Sequence, residues 1–274
     1  MNNDCLSHIF HYLTINETYS VLLINKQCNS VISQDIIWKQ FFANQFSYAS
    51  AHNNYKLKYK QFEYLDKFLV GLTRHTIRHH YHFPTLYLGT YRLGSLPPEI
   101  GLLINLSRID LYNNLLELLP KEIGLLTNLR ELHLNNNKLK SLPEEIGLLT
   151  NLISIDLYNN QLNLLPANIG FLTNLEYLQL SHNKLRLLPT EIVNLTNLQK
   201  LYLYDNQFKE LQSEVCLLTN LQELNFHGNQ FRSLPIEIKL LVNLKYLVIN
   251  EYQFNLVPDN MKHLVIKVPY KIEK

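Results

Sequence analysis

Residues 129–143 read LRELHLNNNKLKSLP, with Leu129, Leu132, Leu134, Asn137, Leu139, Leu142 and Pro143 at fixed places. The Leu-Pro step returns on a grid of 23 residues at Leu96-Pro97, Leu119-Pro120, Leu142-Pro143, Leu165-Pro166, Leu188-Pro189 and Leu234-Pro235, and Val257-Pro258 closes the series. Leu211-Gln212 holds the remaining node without its proline. A period of this length marks stacked supersecondary units. Leu132 and Leu134, two apart, predict a short strand with both leucines inward. Asn114, Asn137, Asn160, Asn183, Asn206 and Asn229 fall where the chain leaves each strand. A carboxamide both donates and accepts, so this column can pair the buried backbone of its own and a neighbouring turn. Tyr91 and Tyr252 stand in the same column in the terminal periods. Proline sets the dihedral entering the return segment, so Pro143-Glu144-Glu145-Ile146 predicts a short helical or 3₁₀ turn. Ile146 and Leu149 then close the core from the far side. One such unit buries too little apolar surface to offset ordering its own backbone, so stacking is obligatory and the ends need caps.

The pattern L-x-x-L-x-L-x-x-N-x-L-x-x-L-P resembles leucine-rich repeats. The resemblance implies an α/β right-handed solenoid over residues 83–266, of about seven or eight repeats, with the strands lining a concave face. Outward positions around the strands form columns. One reads Tyr87, Asp110, His133, Asp156, Gln179, Tyr202, Asn225, Val248; the next reads Gly89, Tyr112, Asn135, Tyr158, Ser181, Tyr204, His227, Asn250. A flanking column adds Glu131, Tyr177, Lys200, Glu223 and Tyr246. Tyrosine buries large area and keeps a hydroxyl to pair, so tyrosine mixed with carboxylates suits a protein-binding surface. The expected target-binding residues are Tyr87, Asp110, Tyr112, Glu131, His133, Asp156, Tyr158, Tyr177, Gln179, Tyr202 and Tyr204. Eight strands at ~4.8 Å would span roughly 35 Å, enough for a peptide or a small domain. Phe208, Phe231 and Phe254 occupy an inward column and predict a stacked core.

The formal net charge of the 274 residues is +2, which gives no reason to expect a nucleic-acid partner. Cys5, Cys28 and Cys216 are odd in number and widely spaced, which favours a reducing compartment and hence the cytoplasm. The first residues lack a basic stretch followed by a long apolar run, so neither a signal peptide nor a membrane span is expected. No phosphate loop, metal cluster or nucleophile elbow is present, so neither enzyme activity nor a cofactor is expected. Cys216 replaces the glycine of Gly124 and Gly147 on the far side, without a histidine at a helpful spacing. His75 and His79 lie one turn apart in the basic stretch Arg74–His82, but no carboxylate or cysteine completes a ligand set, so a solvated linker is the expectation.

Residues 1–46 do not follow the repeat. Leu6, Ile9, Phe10 and Leu13 share a helical face, Asn16 can cap a second helix through Val21 and Ile24, and Asp35 can cap a last one carrying Trp38. LSHIFHYL at 6–13, VLLINKQC at 21–28 and DIIW at 35–38 together resemble an F-box, although Met1-Asn2 stand where that family has Leu-Pro. The resemblance implies that Leu6, Ile9, Phe10, Leu13, Val21, Ile24 and Trp38 bind a Skp-type adaptor joined to a cullin scaffold. The expected organisation is an F-box-like domain at 1–46, a helical linker and cap at 47–82, the solenoid at 83–266 and a tail at 267–274. Followed by leucine-rich repeats, this order resembles the substrate receptors of cullin ubiquitin ligases, which act inside a eukaryotic or host cell. Other readings make 1–46 a helical cap only, or the chain a free-standing scaffold, an inhibitor, or a decoy for the adaptor.

Overall fold

The structure, a computed structural model, describes residues 64, 65, 67–69, 71, 72 and 84–268. The F-box-like segment with all its adaptor-binding candidates, most of the linker, the basic stretch at 74–82 and the residues after 268 lie outside these. Residues 64–65, 67–69 and 71–72 are helical, and Leu65 and Leu69 are fully buried.

Among the described residues, 84–268 form one parallel sheet of nine strands in chain order. These are β1 (Thr85–Tyr87), β2 (Arg108–Asp110), β3 (Glu131–His133), β4 (Ser154–Asp156) and β5 (Tyr177–Gln179). They continue as β6 (Lys200–Tyr202), β7 (Glu223–Asn225), β8 (Tyr246–Asn250) and β9 (Val265–Val268). From β1 to β8 every partner is 23 residues away, as in Leu132 beside Ile155. The last step pairs Leu247 with Val265 and is five residues shorter, adding a ninth strand where eight were expected. In β1 to β7 the central strand residue and its neighbour two along are apolar and buried, as in Leu132 and Leu134. Leu247 and Ile249 fill these places in β8, whereas β9 at the end buries none of its residues.

Each return segment carries a 3₁₀ helix, such as Glu144–Leu148. Pro143 precedes it at φ −66° and ψ 150°. Gln212, at the node without proline, adopts almost the same angles, φ −69° and ψ 140°. Its side chain accepts from Leu188 N at 2.5 Å and donates to Leu188 O at 2.9 Å, so side-chain bonds stand in for the ring's restraint. The 3₁₀ turns of the early repeats approach closely because Gly124 and Gly147 lack a Cβ, which would lie 2.6 Å from Glu145 O and 2.5 Å from Asn168 O. Cys216 in this column is buried, and burial pushes its thiol up to about 12, which leaves it an inert core residue.

The asparagine column forms the expected ladder. Asn160 donates through Nδ2 to Leu134 O at 3.0 Å in the preceding repeat and to Leu157 O at 3.2 Å in its own, while its Oδ1 accepts from Leu139 N at 3.0 Å. The same three bonds recur at Asn114, Asn137, Asn183, Asn206 and Asn229. Each ladder residue from Asn114 to Asn206 follows one with positive φ: Asn113, Asn136, Asn159, His182 or Asp205. Asn, Asp and His tolerate this left-handed conformation better than other side chains, and glycine, which takes it freely, stands at Gly228. A second ladder lies on the outside: Asn128, Asn151, Asn174, Asn197, Asn220 and Asn243 each donate to a carbonyl 24 residues back. Phe208 and Phe231 stack as expected, with centroids 6.3 Å apart. Phe254 does not follow them inward: in the shortened last repeat it is half-buried, with Lys267 Nζ 3.7 Å from its ring centre.

The two ladders differ in burial and therefore in cost. Asn160→Ala should destabilise the protein by about 2–3 kcal/mol, because buried amides and carbonyls lose their partners. Asn151→Ala should cost only about 0.5 kcal/mol, because water replaces its single exposed bond. Denaturant unfolding checks the difference, and equal costs would contradict the ladder's structural role.

Candidate functional site

The side of the sheet that faces away from the leucine core is built by the residues on either side of each central strand leucine and by the column two positions on. Register keeps these in rows, so Arg108, Glu131, Ser154, Tyr177, Lys200 and Glu223 follow one another across β2 to β7.

At the β2–β3 end the charges are paired. Arg108 donates from Nε to Asp110 at 3.1 Å and from Nη1 to Glu131 Oε2 at 2.7 Å. His133 Nδ1 lies 2.8 Å from Asp110 Oδ1. At the other end Lys200 Nζ meets Glu223 at 2.7 Å, and the Tyr202 hydroxyl donates to the same carboxylate. Burial first, and then that bond, push the Tyr202 hydroxyl well above its ordinary range.

Between these ends lies an aromatic row. Tyr158 meets His182 edge-on at 5.0 Å, His182 meets Tyr204 edge-on at 5.1 Å, and Tyr204 stacks on His227 at 4.8 Å. His182 also lies 3.2 Å from Asp205. Tyr177 and Tyr202 meet edge-on at 5.6 Å. Burial, followed by the neighbouring Tyr158, pushes the Tyr204 hydroxyl up to about 12. Tyr158 and Tyr204 belong to strands two apart, which at ~4.8 Å per strand would hold them about 10 Å apart. Their centroids are 6.2 Å apart, so both rings lean over the intervening repeat. Ser181 in that repeat is completely covered, and its hydroxyl has no partner among the described residues.

The expected binding residues therefore divide. Tyr87 is 62% exposed and Tyr112 38%, with the Tyr112 ring seated where a Cβ on Gly89 would fall. Glu131, His133, Asp156, Tyr158, Tyr177, Tyr202 and Tyr204 are half-buried on this face. Two expectations are corrected. Asp110, read as outward and available, is only 2% exposed because Arg108 and His133 close over it. Gln179 is also covered, and its side chain accepts from Ser181 N at 2.8 Å. His182 and His227 complete the aromatic row and were not among the candidates, although their positions one period from Asn159 and Tyr204 would have placed them beside it. A polar groove of about 430 Å³ lies outside the strand face, lined by Asn197, Gln199, Asn220, Gln222, Asn243 and Lys245. Its asparagines are spent on the outer ladder, and Lys245 donates to Gln222 at 2.8 Å, so it is a structural seam. Among the described residues no cluster of His, Cys, Asp or Glu could hold a metal ion, and no helix is long and apolar enough to cross a membrane.

Asp156 stands apart from the other carboxylates. One oxygen accepts from Tyr158 N at 2.9 Å, but among the described residues no cation lies within ion-pair distance. Burial pushes its carboxyl up, and the Tyr158 amide and His133 offset this only in part. A carboxyl raised in the folded state adds stability while it is protonated and loses it as pH rises through the folded value. Asp156→Asn, which keeps an oxygen for Tyr158 N–H, should therefore be more stable than the parent at neutral pH. The advantage should vanish as pH falls below the ordinary carboxylate range. Thermal unfolding across pH tests this, and a less stable variant at pH 7 would refute the placement of an uncompensated charge.

A family model described as leucine-rich repeat region matches residues 121–207 and 167–265, together more than half of the chain. No curated protein matches it. Among solved structures, a leucine-rich-repeat protein from Leptospira interrogans is 34% identical at a TM-score of 0.56, over 71% of this chain and 56% of that one. The ectodomain of the Arabidopsis thaliana membrane receptor kinase GASSHO1/SCHENGEN3, in complex with Casparian strip integrity factor 2, is 32% identical at 0.55, over 62% of this chain and 22% of that one. A TDR receptor is 32% identical at 0.51, over 57% and 28%. This chain spans less than two thirds of the length of each. With the 23-residue register, the buried asparagine ladder and the matching family model, the chain belongs to the leucine-rich-repeat family.

Proposed function

We propose that this protein is a non-enzymatic recognition module that captures a protein partner on its strand face, across β3 to β7. The observation that carries the reading is the row Tyr158, His182, Tyr204 and His227, flanked by Tyr177 and Tyr202. Aromatic rings held by neighbours lose little freedom on binding and bury large area, which is the character of interface hot spots. The plant receptor ectodomain described in complex with Casparian strip integrity factor 2 supports partner binding by such a repeat array.

The resemblance of residues 6–38 to an F-box favours a more specific role. In it the strand face recruits a target while Leu6, Ile9, Phe10, Leu13, Val21, Ile24 and Trp38 engage a Skp-type adaptor and its cullin in the cytoplasm. The free-standing scaffold or inhibitor differs only in lacking the adaptor.

Two experiments test these levels separately. Tyr158→Ala with Tyr204→Ala should weaken binding of partners retained from extract more than about 100-fold, since hot-spot tyrosines contribute ~2 kcal/mol or more each. Leu148→Ser, at an exposed leucine on the 3₁₀ side, should leave binding unchanged. The reverse pattern would move the site to that side. For the adaptor, Ile9→Asp with Leu13→Asp would bury unpaired carboxylates in the contact and should abolish co-purification of a Skp-type protein. If the unmutated protein forms no complex with purified adaptor in excess, it is a free-standing scaffold.

A further inference from the structure

We propose that Asp156 is the anchor for an arginine or lysine side chain of an extended peptide segment in the partner, lying along the aromatic row. This rests on the strand-face reading above and adds the chemistry of what is recognised.

The charges of the face point to the cation. In the three outward columns and the adjoining turn column, from β2 to β7, Arg108 and Lys200 stand against Asp110, Glu131, Asp156, Asp205 and Glu223. With its histidines neutral the face has a net charge of −3, opposite in sign to the +2 of the whole chain. Four of these five carboxylates already have a basic partner: Asp110 and Glu131 share Arg108, Glu223 has Lys200 and Asp205 has His182. Asp156 does not. Its register neighbour His133 is engaged with Asp110 on the opposite side. The second oxygen of Asp156 has no hydrogen bond among the described residues, because Tyr158 N–H is taken by the first.

The surroundings favour a guanidinium or ammonium over a neutral donor. Tyr158 follows Asp156 on its own chain, and the Tyr177 hydroxyl is pushed up first by its burial and then by the charge of Asp156. An arriving cation would meet a half-buried carboxylate and the faces of aromatic rings together, an arrangement in which desolvated cation–π contacts add to the ion pair. The row of rings sets the shape of the segment. The row bends at His182: Tyr158 and Tyr204 are 6.2 Å apart and His227 lies 4.8 Å beyond, so it spans at most about 11 Å, the reach of about three residues of extended chain at ~3.3 Å each.

A displayed library of random twelve-residue peptides, selected on the full chain, tests this directly. Enriched peptides should carry Arg or Lys at one recurrent position. Asp156→Asn should bind them at least about tenfold more weakly, as expected for loss of a charge-assisted contact. Peptides with that Arg or Lys replaced by glutamine should bind parent and variant alike. Enriched peptides without a recurrent cation, equal binding to Asp156→Asn, or no enrichment at all would each overturn the anchor. The double change Tyr158→Ala, Tyr204→Ala separates the two levels. Peptides lost by that variant but indifferent to Asp156 leave the strand-face reading standing and remove the anchor. Peptides that bind it undiminished lie elsewhere, and both fall.

Discussion

The buried carboxamide ladder is the constraint on which the rest of this protein depends. A parallel strand of three residues satisfies few backbone groups, and the chain must leave it at once through a left-handed residue. The carbonyls and amides exposed by that turn face the core, where water cannot serve them. Asn137 solves this with one side chain, donating to Leu111 O and Leu134 O and accepting from Leu116 N. Because two of those partners belong to the preceding repeat, the same bonds that satisfy a turn also set its distance and register to its neighbour. Leucine contacts alone could tolerate a slip, whereas three directional bonds per repeat cannot.

That register is what turns scattered residues into a surface. Tyr158, Ser181, Tyr204 and His227 are each 23 residues apart, yet the structure brings their side chains to one line. The rings can then lean on one another, and a face assembled this way is rigid before any partner arrives. Rigidity lowers the ordering cost of association, which is why a tyrosine row on stacked strands suits recognition better than the same residues on a loop.

Periodicity made most of this legible. The strands, the inward leucines, the 3₁₀ turns and the asparagine column all follow from the spacing of apolar and turn residues, because each depends only on position within a repeat. Where the structure departed, the cause lies in contacts between particular side chains, within a repeat as well as between repeats. Asp110 is covered because Arg108 and His133, two neighbours with matching charge and reach, close over it. Ser181 is covered because two larger side chains flank a small one. No single-repeat pattern encodes such pairings. The left-handed column was readable, since Asn113, Asn136, Asn159, His182, Asp205 and Gly228 are the residue types that conformation accepts. The outer asparagine ladder shared its signal with the Thr-Asn step that precedes β3 to β7, and only the bonds distinguish it. Phe254 left its column because the last period is five residues short.

The same rigidity explains why one carboxylate can remain unmatched. In a loop, Asp156 could swing toward solvent and recover its hydration. Here Tyr158 N–H holds one oxygen, the strand fixes the backbone, and the neighbouring repeats crowd the side chain, so the charge stays half-buried. Its neighbours in the column find their counter-charges within the protein, Asp110 from Arg108 and His133, and beyond it Tyr202 gives its hydroxyl to Glu223. The unmatched position thus falls between two self-neutralised ends and directly beside the aromatic row. Fold stability alone would favour asparagine there, as it would keep the bond to Tyr158 without a buried charge. An aspartate in its place lowers the stability of the free protein and raises its complementarity to a cation, the trade expected where binding rather than packing determines the residue.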